Sequence, residues 1–214
     1  MSGVIFWDVD TQYDFIMSDG KLYVDGSERI LGNLEKLTGY ARENKVRILG
    51  SVDNHGPNDS EISDNPDFLQ TFPPHCLEGS TGQEKIPETR PRNPFWVDPD
   101  PANQRSLIAE INGHPGEVLF QKKRFDVFTN PNVDPVLDSI SPECIVVYGV
   151  ALDVCNAYAI EGFLQRKTAP VALVLDATRA IDPKRGEDLV IKWQQQGVKI
   201  LSTQEVVEEG KIYP

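Results

Sequence analysis

Apolar runs that end in reactive side chains set the strongest limit on how this chain folds. Val4 to Val9 leads into Asp10, and Arg47 to Val52 leads into Asp53. Glu117 to Gln121 leads into Lys122 and Lys123, and Cys144 to Tyr148 leads into Gly149. Short continuous apolar runs of this kind are strands buried on both faces, the signature of a parallel sheet. Helical spacing separates them. Ser27 reads as the N-cap of a helix to about Lys45, in which Ile30, Leu31, Leu34, Leu37 and Ala41 recur on one side. Further helices are expected at Val133 to Ser139, Asp153 to Lys167 and Lys184 to Gln196, with strands at Val171 to Leu175 and Val198 to Leu201 and a short terminal helix. The expected fold is a Rossmann-like three-layer α/β/α arrangement around a central parallel sheet. At 214 residues the chain makes a single domain over 1–214.

Residues 54–117 break this regularity. They are rich in Pro, Asn, Asp and Gly, and only 104–112 has helical periodicity. An irregular stretch of this length inside a compact domain is usually functional, so it is expected to contribute to a metal and substrate pocket. Charge narrows the partners. Asp and Glu outnumber Lys and Arg by 33 to 21, for a net charge of −12, which argues against nucleic acid. No apolar run approaches the ~20 residues that span a bilayer. The first residues reach acids at once without a basic leader, and three cysteines are an odd number, so reduced thiols and a cytoplasmic location are expected.

In a parallel sheet all strands end on one edge, and ligands bind in the crevice beyond those ends. That rule gathers Asp8, Asp10, Asp53, His55, Lys122, Lys123, Asp153 and Cys155 at one place. Cys155 falls in the first turn of its helix, where free N–H groups and the helix dipole favour thiolate, and a nearby ammonium would favour it further. Asp10 can take the thiol proton and return it to a leaving amine. The backbone N–H groups from Ala151 to Cys155 can hold an oxyanion. The competing reading is a small buried hydrophobe, which fits Cys144 inside its strand well. Asp53 and His55 share one side of a strand end, and the stiff segment Phe72-Pro73-Pro74-His75-Cys76 can bring His75 to them. Two histidines and a carboxylate suit Zn, Mn or Fe, the alternative being two solvated histidines in a polar loop. His114, between Gly113 and Pro115, reads as a turn residue.

Five ordered blocks carry a resemblance. They are Val9-Asp10-Thr11-Gln12-Tyr13-Asp14-Phe15, Asp53-Asn54-His55, Phe72-Pro73-Pro74-His75-Cys76, Lys122-Lys123-Arg124-Phe125-Asp126-Val127-Phe128 and Gly149-Val150-Ala151-Leu152-Asp153-Val154-Cys155. Together they resemble the isochorismatase-like cysteine hydrolases, and within them the nicotinamidase/pyrazinamidase branch. The resemblance implies an amide hydrolase of NAD metabolism with Asp10 as acid/base, Cys155 as nucleophile and Lys122 as the catalytic lysine, Lys123 being the neighbouring alternative. It implies a divalent metal, zinc foremost, on Asp53, His55 and His75, with Asp67 or Glu61 as a fourth ligand. It also implies a non-proline cis bond at Val150–Ala151. A small-molecule amide would lie against Phe15, Phe72, Val150 and Ala151, with Phe128 or Trp96 as further ring partners, in a chain that is expected to form a homo-oligomer.

The sequence departs from that branch where Asn54 replaces a usual Trp, where 58–61 lacks a further His, where Asn156 replaces a common Val, and in the insert 77–116. These departures bear on the substrate, so an amidase for a carbamoyl or ureido substrate is the nearest rival. A non-catalytic binding protein and a redox protein are more distant ones, the last lacking a C-x-x-C partner for Cys155.

Overall fold

The computed structural model describes residues 3–212. In chain order its elements are β1 (Val4–Val9), α1 (Tyr13–Ile16), α2 (Leu31–Glu43), β2 (Arg47–Asp53), β3 (Phe95–Val97), α3 (Gln104–Gly113) and β4 (Val118–Lys122). There follow α4 (Val133–Ile140), β5 (Cys144–Val150), α5 (Cys155–Arg166), β6 (Val171–Arg179), α6 (Pro183–Gln195), β7 (Lys199–Leu201) and α7 (Thr203–Val207). The strands form one sheet in the order β3-β4-β2-β1-β5-β6-β7, and every pairing is parallel. Strand order runs one way from β1 through β2 and the other way through β5. β1 therefore marks the switch point at which a crevice opens in such sheets.

The alternation of side chains decides what each layer covers. Ile5, Trp7 and Val9 of β1 join Leu49, Phe120, Ile145 and Val147 in a core beneath α3 to α6. Val4 and Phe6 join Ile48, Val146 and Tyr148 in the opposite core, beneath α1, α2 and α7. Both faces are covered, which is why the strands read as continuous apolar runs. No described helix is long and apolar enough to cross a membrane.

Two expectations need correction. Ser27 does not cap α2. It opens a 3-10 turn, Ser27–Ile30, and its hydroxyl donates to the Ile16 carbonyl at 2.7 Å, tying this turn to α1. β3 lies within the segment expected to be irregular. Three residues are too few to show a period, and this strand sits at the sheet edge against β4 alone.

Trp7 is fully buried, stacked on Phe120 at 5.7 Å between ring centroids and edge-on to Phe163 at 5.0 Å. Trp7→Ala should cost about 3–5 kcal/mol through lost burial and the cavity left behind. A urea titration would show it as a lower midpoint with an unchanged slope.

Candidate active site

Four chain segments meet beyond the strand ends, and sheet register brings them together. Asp53 and Lys122 are direct partners in the β2–β4 pairing. Asp10 follows β1 in a left-handed conformation, φ 47°, with its N–H donating to the Ser51 carbonyl. Gln12 clamps β1 to β2. Its amide accepts from the Asp53 N–H at 2.7 Å and donates to the Asp53 carbonyl at 2.8 Å, and it also reaches the Gln83 carbonyl.

At the centre lies the ammonium of Lys122, fully buried. It contacts Asp10 Oδ2 at 2.9 Å, hydrogen-bonds Asp53 Oδ1 and lies 3.7 Å from Cys155 Sγ. Strand parity selects it, because Lys122 shares the side of Val118 and Phe120. Lys123 points outward instead and pairs with Asp59 at 2.9 Å. Burial opposes the Lys122 charge, but Asp10 and Asp53 outweigh it and hold the amine well above its usual range. For Asp53, burial is outweighed by Lys122 and the two histidines, so its carboxyl stays well below the usual range. For Asp10, burial wins over Lys122 and raises it.

Cys155 differs from expectation. It does open α5, at the end of the crevice. Burial, however, pushes its thiol well above the ordinary range, with Lys122 only partly offsetting this and Asp10 and Asp53 adding to it. Lys122 already answers two carboxylates, so burial prevails and favours the thiol form of the sulfur. A thiol beside a carboxylate of raised basicity is suited to proton transfer on demand. The Val150–Ala151 bond that precedes this helix is cis, as the resemblance implies.

Asp53 also faces the histidine pair. Ligand atoms of Asp53, His55 and His75 lie within 4.8 Å of one another, all buried. His75 Nδ1 donates to the Pro73 carbonyl at 2.8 Å, which leaves its Nε2 as the inward-facing atom. That atom and both ring nitrogens of His55 are buried without a hydrogen-bond partner. Asp59 Oδ2 stands 3.7 Å from His55 Nδ1, the supporting position that carboxylates take behind metal-binding imidazoles. Unpartnered buried nitrogens beside a carboxylate fit a divalent cation. Glu61 is buried with Oε1 3.9 Å from His75 Nε2, and its Oε2 has no partner. Asp67 is not in the site. It is exposed and accepts the N–H groups of Leu69, Gln70 and Thr71.

The histidine loop is held from below. The Cys76 N–H donates to Asp14 Oδ2 at 2.7 Å, and Asp14 Oδ1 accepts from the Lys21 N–H. Gly82 is needed here, since a Cβ would stand 2.0 Å from the Asp14 carboxylate. Two other residues prove to be braces. Asp153 accepts from the Ile181 and Asp182 N–H groups, and Asn156 donates to the Gly149 carbonyl and Thr178 hydroxyl.

Cys155, His75, Asp53 and Glu61 open into a cavity of about 80 Å³. Phe15, Phe72, Val150 and Ala151 line it. Phe125 lines it too, in edge contact with Phe72 at 5.4 Å, as do Leu22, Val24 and Ile181. Phe128 and Trp96 do not. Phe128 packs on Phe163 beneath Arg166, and Trp96 is half-exposed on the edge strand. Phe125 was legible only as part of the lysine block, and nothing in its spacing marks it as lining.

This architecture, with a thiol, a carboxylate and an ammonium at the switch point of a parallel sheet, is that of an isochorismatase-like hydrolase. The chain belongs to the isochorismatase family, whose Isochorismatase domain profile matches residues 4–205. Among solved structures, the nicotinamidase/pyrazinamidase PncA of Bacillus subtilis is 17% identical with a TM-score of 0.72, covering 93% of this chain and 99% of its own. Pyrazinamidase of Pyrococcus horikoshii in complex with zinc is 19% identical, TM-score 0.73, covering 94% and 99%. N-carbamoylsarcosine amidase of Thermoplasma acidophilum is 22% identical, TM-score 0.69, covering 94% and 97%. No curated protein sequence matches the chain significantly. These likenesses establish the fold, and the substrate is a separate matter.

Removing the central cation should expose how much the site depends on it. Lys122→Met leaves two buried carboxylates facing each other, a change expected to cost about 3–5 kcal/mol. Guanidinium unfolding in the presence of a chelator, wild type against variant, measures it.

Proposed function

We propose that this protein is a cysteine-dependent amidohydrolase that cleaves nicotinamide, or a close aromatic carboxamide, to the carboxylate and ammonia. The observation that carries this reading is the meeting of Cys155, Asp10 and Lys122 beside the histidine pair, at the floor of an apolar cavity. Asp10 takes the proton of the Cys155 thiol as sulfur attacks the amide carbon. The N–H groups of Leu152 and Val154 are committed to the Arg179 and Ala151 carbonyls. Those of Ala151, Asp153 and Cys155 have no such partner, and the oxyanion is assigned among them. Asp10 then gives its proton to the departing nitrogen, and ammonia leaves a thioester on Cys155. Water, deprotonated by Asp10, releases the acid and restores the thiol. Throughout, Lys122 holds Asp10 and the developing thiolate in one charge-balanced group.

Asp53, His55 and His75, with Glu61 as a fourth donor, would hold a divalent ion, zinc foremost and otherwise Mn or Fe. When bound, it supplies a Lewis-acid point for a basic heteroatom of the substrate.

The cavity lining separates this reading from its rival. Its walls are Phe15, Phe72, Phe125, Leu22, Val24 and Ile181, and no Arg or Lys is among the described residues that line it. A flat neutral ring is favoured by such walls. An N-carbamoyl amino acid brings a carboxylate that no Arg or Lys of these walls would meet.

Ammonia release from nicotinamide and from N-carbamoylsarcosine should be measured side by side, with metal content determined on the same samples. Nicotinamide turnover well above the ureido acid is expected, and the reverse order transfers the assignment to the rival amidase. Cys155→Ala should fold normally and lose at least ~10³-fold in turnover, whereas substantial residual activity refutes the nucleophile. His75→Ala should lower bound metal and raise KM, so an unaltered metal content removes His75 from the ligand set.

A further inference from the structure

At the opposite end of the sheet, a cavity of about 500 Å³ collects positive charge on an otherwise acidic chain. Arg42 and Lys45 reach it from α2 and the residue pair that follows, Arg47 from the start of β2, and Arg92 from the loop before β3. Glu117 is the only carboxylate among its described lining residues, and Arg42 neutralises it at 2.7 Å. Three cations therefore remain in excess.

Arg47 is the informative one. It is largely covered, yet it forms no ion pair among the described residues and spends one N–H on the Ile111 carbonyl. A guanidinium has five donors in a rigid fork, so most of its capacity is unused. Lys45 and Arg92 are exposed and likewise without a carboxylate. The carbonyl end of α2 adds a partial charge of about −0.5, which three full positive charges exceed. Val46, Ile48 and Pro115 give the cavity an apolar floor. Its size falls in the ~300–1,000 Å³ range of small-molecule sites.

We propose that this cavity binds a phosphorylated small molecule with an apolar body, of the nucleoside monophosphate class. Arg47 and Arg92 supply the forks that suit phosphate oxygens, Lys45 adds a point charge, and the floor takes the ring. β2 and β4 run from this cavity to Asp53 and Lys122, a distance of roughly 20 Å at ~3.3 Å per residue. The ligand site and the hydrolytic crevice are thus separate pockets on the same two strands.

Calorimetric titration of the full chain with AMP, and separately with inorganic phosphate, tests this. AMP should bind with an affinity that falls as NaCl is raised. A Lys45→Gln/Arg92→Gln variant, altered only at exposed positions, should weaken AMP at least tenfold while keeping its circular dichroism and its amidase rate. Lys45→Arg with Arg92 intact should keep AMP binding. Absence of AMP binding at millimolar concentration overturns the proposal, as does equal affinity in the double variant. Phosphate binding as tightly as AMP overturns the ligand class, because the apolar floor would then contribute nothing.

Discussion

One buried ammonium organises the crevice. Lys122 is removed from water, a cost that only close carboxylates offset, and Asp10 and Asp53 supply them from two other strand ends. Each carboxylate in turn is tolerable there because the ammonium lies between them. The three charges therefore stand or fall as a unit, and that unit sets the state of the sulfur beside it. With its cation shared between two acids, Lys122 does not hold Cys155 as a standing thiolate. The thiol and Asp10 are instead poised as a donor and acceptor of one proton. This suits a nucleophile that is generated only as it reacts.

Such a cluster needs a rigid frame, and the frame is made of backbone pairs and buried amides. Parallel register sets Asp53 opposite Lys122. The bidentate amide of Gln12 then extends the β1–β2 pairing past the last strand residue and fixes Asp53 from behind. Asn156 does the same between β5 and β6, where a branched apolar side chain would have no donor for Gly149 or Thr178. Asp153, at the sheet edge with the reactive groups, points away from them to hold the loop that carries Ile181 over the cavity. Proximity to the chemistry is therefore not a role in it.

The irregular segment after β2 has a matching logic. Backbone bonds from His55 to Cys76 and from Glu78 to His55 lay the returning chain alongside the end of β2. That pairing is what brings His75 within reach of Asp53. Phe72 arrives with it as a wall of the cavity, and Glu61 is buried by the same turn of chain. Asn54, where a Trp is usual in the nicotinamidases, accepts a hydrogen bond from Gln83 and so anchors this layer to the loop below. The two candidate metal-binding histidines, the ring contacts and their support thus come from one local path, which explains how a stretch without periodicity is ordered.

Much of this was readable from order and pattern. Apolar runs ending in Asp10, Asp53 and Lys122 determined a parallel sheet with its chemistry on one edge, because strands covered on both faces have no polar positions to spare. The five blocks determined the family and the cis bond at Val150–Ala151. Other features depended on contacts between residues distant in sequence. Only the folded sheet decided between Lys122 and Lys123, since strand parity becomes visible when the register is known. Only packing decided that Glu61 is buried and Asp67 exposed, that Phe125 rather than Phe128 walls the cavity, and that Ser27 bonds to α1. The state of Cys155 was the most hidden. Its helix position argues for a thiolate, and burial beside two acids that share its cation, a matter of tertiary distances alone, reverses that result.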